Sequence, residues 1–297
     1  MQKRPILTAL IILGITILFL GTVMIVVQKF STSSPDLSFS NKIGVISIEG
    51  DIYDSSTVLD QLVEFRNDRG IKAIILRINS PGGGVAETQE IYREVRKTRE
   101  EKRVVVSLGN TAASGGYYIA CAGEKIVANP GTITGSIGVI MKYMQYIKLL
   151  EKIGIRPEVI KSGEFKDVGS SYRDLTDRER ELLEELVSDI LEQFIEAVAA
   201  GRKMSVEKVR QIADGRILTG AMAKELGLVD QLGNFRDAVD LTREMSGLEG
   251  EVKLVFPKKT RIRIWDYIFQ SAAVAFSDAF NNIKDTTIEY RWDGLSY

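Results

Sequence analysis

The chain has 297 residues, 44% hydrophobic and 27% charged, with 39 basic against 40 acidic side chains. A net charge of −1 gives no reason to expect a nucleic-acid partner. The sequence contains no histidine, which excludes the Ser-His-Asp arrangement and every histidine-based zinc site. No metal or other cofactor is expected. The single cysteine, Cys121, can form no intramolecular disulfide and reads as a small buried apolar residue.

The N-terminus departs from this ordinary composition. From Ile6 to Val27 there is no charge. At about 1.5 Å per helical residue this stretch is long enough to cross a hydrocarbon core of roughly 30 Å. Lys3 and Arg4 precede it, so the positive-inside rule puts the first residues in the cytoplasm and the rest of the chain outside. Val26-Val27-Gln28-Lys29-Phe30 lacks the small residues of a cleavage site. The expectation is a retained single-pass anchor in the cell (inner) membrane over residues 1–27, followed by a Ser-rich linker over 28–41.

Beyond the linker, apolar runs alternate with amphipathic stretches. Ile43–Ile48 reads as a strand, Ser56–Arg69 as a helix, and Ala73–Ile78 as a buried strand ending in a tight loop over Asn79–Gly84. Glu87–Glu101 is helical, and Val104–Leu108 is a strand leading to Ser114. Thr176-Asp-Arg-Glu179 is a capping box opening a long helix that ends near Gly201. Ser205 and Thr219 start two short helices, the second capped by Gly227. Lys253–Phe256 reads as a last strand, and Ile264–Ile283 as a packing or oligomer helix. The tail from Lys284 to Tyr297 could be a packed strand or a free peptide. Strand, helix and strand in repeated order predict an α/β fold with a largely parallel sheet. The main domain would cover 42–256, with a C-terminal helix and tail over 257–297.

Three segments could carry chemistry. Ser-Pro-Gly-Gly-Gly (80–84) follows a buried strand, and its glycines let backbone N–H groups approach a ligand closely, as an oxyanion site requires. Read blandly, it is a turn. Ala-Ser-Gly-Gly (113–116) presents Ser114 at a strand-to-helix junction with the Gly115 N–H as a further donor; the bland alternative is a helix N-cap. If Ser114 is a nucleophile, its proton must go to a lysine or a carboxylate, and the histidine-free variant of serine catalysis is the Ser-Lys pair. A lysine base must lose most of its usual basicity by desolvation, with no carboxylate partner. Lys166, beside Phe165 in a glycine-bearing loop, is one candidate; the residues alone do not separate it from Lys161, Lys142 or Lys125.

Taken in order, Ser-Pro-Gly-Gly (80–83), Ala-Ser-Gly-Gly-Tyr-Tyr-Ile-Ala (113–120), Thr-Gly-Ser-Ile-Gly-Val (134–139), Ser-Gly-Glu-Phe-Lys-Asp (162–167), Gly-Arg-Ile-Leu-Thr-Gly (215–220) and Gly-Leu-Val-Asp (227–230) resemble the bacterial signal peptide peptidase A family in its short, single-domain form. The resemblance covers roughly residues 43–245. It implies a Clp-protease/crotonase-like fold of repeated ββα units. It implies Ser114 as nucleophile, Lys166 as general base, Ser136 orienting the lysine, and Gly83 and Gly115 as oxyanion donors. Phe165 stands where the family commonly has tyrosine. The resemblance further implies ring-like homo-oligomers with sites shared between subunits, and remnant signal peptides as substrates. Apolar pockets are expected to select small or aliphatic side chains. The alternatives are a stomatin-associated membrane serine protease, a crotonase-type acyl-CoA enzyme and a non-enzymatic membrane scaffold.

Overall fold

The computed structural model describes residues 14–24, 41–258 and 287–292. They fall into two units, residues 1–40 and residues 41–297. Of the apolar N-terminal stretch, residues 14–24 are helical. Ile15, Leu18, Phe19 and Leu20 are exposed there. The Thr22 hydroxyl donates back to the carbonyls of Leu18 and Phe19 at 2.9 and 2.8 Å. No helix among the described residues is long and apolar enough to cross a membrane. The remainder of the expected span, and the helix expected over Ile264–Ile283, lie outside the described residues.

The second unit is built on a parallel sheet. Its strands are β1 (Lys42–Glu49), β2 (Ile71–Ser80), β4 (Arg103–Ala113), β5 (Lys125–Ala128), β9 (Gln231–Leu232) and β10 (Lys253–Val255), in the order β10-β1-β2-β4-β5-β9. Two further strands, β6 (Ile133–Gly135) and β8 (Ile217–Thr219), extend it beyond the end of β4. Among the described residues, only the β6–β8 pairing in this sheet is antiparallel. Three strands form a second, antiparallel sheet in the order β3-β11-β7: β3 (Gly82–Gly84), β7 (Ile140–Lys142) and β11 (Thr287–Arg291). The helices that pack here are α1 (Ser56–Asn67), α2 (Val85–Glu101), α3 (Gly115–Ala120), α4 (Ile147–Lys152), α5 (Asp177–Arg202), α6 (Val206–Arg210), α7 (Gly220–Glu225) and α8 (Phe235–Met245).

Strand periodicity of two decides the layers. Ile74, Leu76 and Ile78 of β2, with Val104, Val106 and Leu108 of β4, enter the main core with Val58, Leu62 and Phe65 of α1 and Ile91 and Val95 of α2. The intervening Ile75 and Val105 face the opposite side, against Val239 and Ala238 of α8. The sheet is therefore covered on both faces, which is why its strands read as continuous apolar runs. A mixed α/β fold with a parallel sheet, as expected, is what forms, and it is consistent with a Clp-protease-like architecture. The Thr176 capping box is present, with Thr176 Oγ1 accepting from the Glu179 amide and Glu179 accepting from the Thr176 amide.

Two local expectations need correction. Gly82–Gly84 is a strand, not a tight loop. Its backbone groups find partners on both sides: Gly82 O and Gly84 N bond to Ile52, each at 2.9 Å, and the other edge pairs with β11. Nor is Lys253–Val255 the last strand, because part of the C-terminal tail forms β11. Its central position between β3 and β7 settles that part of the tail as packed strand.

Candidate active site

Ser114 stands where β4 ends and α3 begins. Ala113 pairs with Gly135 of β6, and the Ser114 amide donates to the Gly135 carbonyl at 2.8 Å. The Ser114 carbonyl then accepts from the Tyr118 amide at 2.8 Å. Between these bonds the residue is held at φ 50°, ψ −117°, a conformation costly for a residue with a Cβ. The hydroxyl makes no side-chain cap to the helix, so the N-cap reading does not account for it. Its oxygen is buried with no hydrogen-bond partner among the described residues. A buried unpaired hydroxyl on a strained turn is the kind of exception found at reacting centres.

Ser136 follows Gly135 directly and also has φ 50°. Its amide donates to the Arg216 carbonyl at 2.8 Å. Because β4 and β6 are neighbouring strands, the fold brings Ser136 to the same end of the sheet as Ser114.

The two glycines converge on one point. In β3, Gly82 and Gly84 direct their backbone groups to Ile52, so Gly83 between them faces the other edge. There it pairs with Tyr290. The neighbouring bond of the same parity, Trp292 N–H to Pro81 O, measures 3.0 Å. Gly83 N–H is thus directed at the Tyr290 carbonyl. A methyl group built on Gly115 would lie 3.0 Å from that same oxygen, and one on Gly82 only 1.9 Å from it. Gly82 also has φ +109°, open to glycine alone. A peptide carbonyl from β11 therefore rests against Gly82, Gly83 and Gly115, immediately beside the Ser114 turn.

The lysines are placed differently. Lys125 pairs with Asp230 at 3.1 Å, and Lys161 with Asp167 at 2.6 Å. Lys166 lies exposed in the 3₁₀ turn Glu164–Asp167. It has no ion pair among the described residues, and within this chain it does not hydrogen-bond Ser114, whose oxygen is unpartnered. Its turn is anchored by its neighbours. The Arg173 guanidinium bonds Asp167 (2.9 and 2.8 Å) and Glu179. Hydrogen bonds from Arg173, then Lys161, hold the Asp167 carboxyl well below the usual carboxylate range. Arg173, then the Thr176 amide, lowers Glu179 to about 2. The Arg178 guanidinium sits 5.4 Å from the Phe165 ring centroid.

The sequence reading missed the aromatic cluster beside the site. Tyr290 is fully buried and stacks on Tyr118 at 5.0 Å and against Phe194 at 4.8 Å. Tyr92 meets Tyr118 edge-on at 4.9 Å. The one available hint was Tyr117-Tyr118 following Ser114. No described cluster of cysteine and carboxylate side chains could hold a metal ion.

Known proteins place this geometry in a family. The family model for peptidase family S49 matches residues 96–249, and that for Clp protease matches residues 36–133. The chain is 50% identical over 177 residues to the "Putative protease" of Synechocystis sp., covering 60% of this chain and 64% of that protein. It is 38% identical over 209 residues to the "Putative signal peptide peptidase SppA" of Enterococcus faecium, covering 70% and 61%. It therefore spans somewhat less than two thirds of either relative. With the "Putative protease" of Methanocaldococcus jannaschii it shares 32% identity over 262 residues, covering 83% of this chain and 84% of that protein. Half of the chain matched by the family model, and 84% of the Methanocaldococcus jannaschii relative's length matched at 32% identity, lead to one assignment: the chain belongs to peptidase family S49.

Proposed function

We propose that this protein is a membrane-anchored serine endopeptidase that digests remnant signal peptides with a Ser-Lys pair. One observation carries the reading: a peptide strand lies beside Ser114 with its carbonyl against Gly83 and Gly115. In the proposed reaction, neutral Lys166 takes the Ser114 proton as Oγ attacks a peptide carbonyl. The oxyanion accepts from the N–H groups of Gly83 and Gly115. Lys166 then passes its proton to the leaving amine, leaving an acyl-Ser114 ester. Water attacks the ester and gives its proton to Lys166, releasing the acid and restoring the Ser114 hydroxyl.

Lys166 comes from a neighbouring subunit in this proposal, with Ser136 orienting it. Two observations support sharing. The two residues are not bonded within one chain. Leading up to the Lys166 turn, Met144, Leu149, Ile153, Ile155, Val159 and Ile160 are all exposed, an apolar surface that a second copy would cover. The Ile6–Val27 stretch is the proposed anchor, with the peptidase unit on the outer face of the membrane. Released signal peptides are apolar and start in the bilayer, where an anchored enzyme meets them.

The test is hydrolysis of signal peptides by the full chain in detergent micelles. Wild type, Ser114→Ala, Lys166→Ala and the two variants refolded together are compared. Activity lost in each variant and partly restored in the mixture is the expected pattern. A peptide panel that includes stomatin-like tails separates the signal-peptide reading from a partner-specific protease. Activity unchanged by either substitution would sink the mechanism.

A further inference from the structure

Beside the oxyanion glycines lies a hydroxyl to which the proposed reaction gives no task. Thr88 belongs to the opening turn of α2, which starts where β3 ends. It is fully buried, and its oxygen has no hydrogen-bond partner among the described residues. A threonine hydroxyl inside a helix ordinarily donates to the carbonyl four residues back. Thr242 of α8 does so, bonding the Ala238 carbonyl at 2.6 Å. For Thr88 that acceptor would be the Gly84 carbonyl, and the bond is not made. Thr88 thus holds an idle buried hydroxyl, which lowers stability.

Its oxygen faces Gly115 instead. A methyl built on Gly115 would lie 2.8 Å from Thr88 Oγ1, 3.0 Å from the Tyr290 carbonyl oxygen and 3.2 Å from Gly82 Cα. One face of Gly115 therefore meets all three. A methyl built on Gly82 would lie 2.8 Å from the Gly115 nitrogen, so that nitrogen is confined as well. Gly115 has no slack on this side. If its Cα shifts, the N–H proposed to meet the oxyanion shifts with it. The Thr88 atom nearest this face is the oxygen. An oxygen is smaller than a methyl, and it accepts a weak contact from a Cα–H beside an amide. A methyl in its place would crowd Gly115.

We infer that Thr88 is a positioning residue of the Ser114 site: its hydroxyl oxygen seats Gly115 and so aims the Gly115 N–H at the developing oxyanion. The inference rests on the peptidase reading above. Oxyanion donors act by being preorganised, so a small displacement lowers the rate while substrate binding is kept. Thr98 is the matched comparison. It is equally buried in α2, its hydroxyl is also unpaired among the described residues, and it lies about 15 Å further along the helix. It is not among the nearest neighbours of Gly82, Gly83 or Gly115.

The test uses the full chain in detergent micelles and has two readouts. One is signal-peptide hydrolysis. The other is the affinity of acetyl-Leu-Leu-Leu aldehyde and of the matching amide. On the aldehyde, Ser114 Oγ bonds to the carbonyl carbon, its proton passes to Lys166, and the former carbonyl oxygen becomes the oxyanion. The amide binds without that step. Thr88→Val should lower kcat about 10- to 100-fold with KM little changed, and weaken the aldehyde by a similar factor while leaving the amide unchanged. Thr88→Ser keeps the oxygen and should recover most of the kcat. Thr98→Val should change neither kcat nor aldehyde affinity. Should Thr88→Val fail to fold, Thr88→Ala removes the oxygen without crowding and must still show the loss. Wild-type kcat in Thr88→Val or Thr88→Ala overturns the inference. So does a Thr88→Ser loss as large as theirs, or an equal loss of aldehyde and amide affinity. No hydrolysis by wild type, with aldehyde affinity still set by Thr88, overturns the peptidase reading and leaves the seating of Gly115 standing. An aldehyde that binds wild type no more tightly than the amide overturns both.

Discussion

The Ser114 amide donates to the Gly135 carbonyl at 2.8 Å, and this bond sets the candidate nucleophile directly beside the end of β6, one residue before Ser136. Both serines have φ 50°. Neither is glycine, so each conformation persists only because flanking bonds hold it: Tyr118 N–H to Ser114 O on one side, Ser136 N–H to Arg216 O on the other. Strain of this kind is worth about 1–3 kcal/mol per residue.

Ser114→Gly should therefore make the protein more stable and inactive. The substitution relieves the left-handed backbone and removes a buried hydroxyl that has no partner among the described residues. A gain of about 1 kcal/mol is expected, read as a higher urea midpoint with an unchanged slope, alongside complete loss of peptide hydrolysis. A lower midpoint would mean that Ser114 is not strained.

The glycines around the Tyr290 carbonyl should separate stability from activity. A methyl on Gly83 would stand 2.2 Å from the Ile52 carbonyl oxygen, inside a backbone ladder that cannot give. Gly83→Ala should cost about 1–3 kcal/mol of stability as well as activity. On Gly115 the methyl would sit 2.8 Å from Thr88 Oγ1, 3.0 Å from the Tyr290 carbonyl and 3.2 Å from Gly82 Cα. Gly115→Ala should lower kcat by roughly 10²- to 10³-fold with a smaller shift in melting temperature. Gly131→Ala, with nothing within 4 Å, is the control and should change neither quantity.

The Arg173 cluster makes a pH-dependent contribution. Arg173 and the Thr176 amide lower Glu179 to about 2 in the fold, below its unfolded value of about 4.3. A depressed carboxyl stabilises the fold above the unfolded pKa, and the contribution is lost as pH falls through the folded one. The stability difference between wild type and Arg173→Met should be largest above about pH 4.5 and shrink towards pH 2, measured by urea midpoints across that range. A difference independent of pH would show that Arg173 acts through packing alone.

Cys121 should be inert in the folded protein. It is fully buried, and burial pushes its thiol up to about 12. A thiol-reactive chromogenic disulfide should find no reactive group at pH 8 in native protein and one per chain in denaturant. Fast native labelling would mean that the α3 region opens readily.

Much of the catalytic unit was legible in the sequence because local chemistry writes it. Apolar runs marked β1, β2 and β4, since a strand covered on both faces needs side chains that avoid water in both directions. Thr176 and Glu179 marked the start of α5, since orphan amides there need acceptors within one turn. The absence of histidine narrowed any base for the proposed nucleophile Ser114 to a lysine or a carboxylate, and the order of the glycine and serine motifs carried the family. What only the tertiary structure decided depends on residues far apart in the chain. Gly82–Gly84 became a strand because Ile52 and β11 flank it, and no local signal encodes partners so distant. Lys125 was set apart from Lys166 by Asp230, whose charge only folding brings into reach. The aromatic cluster joins Tyr92, Tyr118 and Phe194 with Tyr290 from the tail, a juxtaposition that side-chain periodicity along one element cannot express.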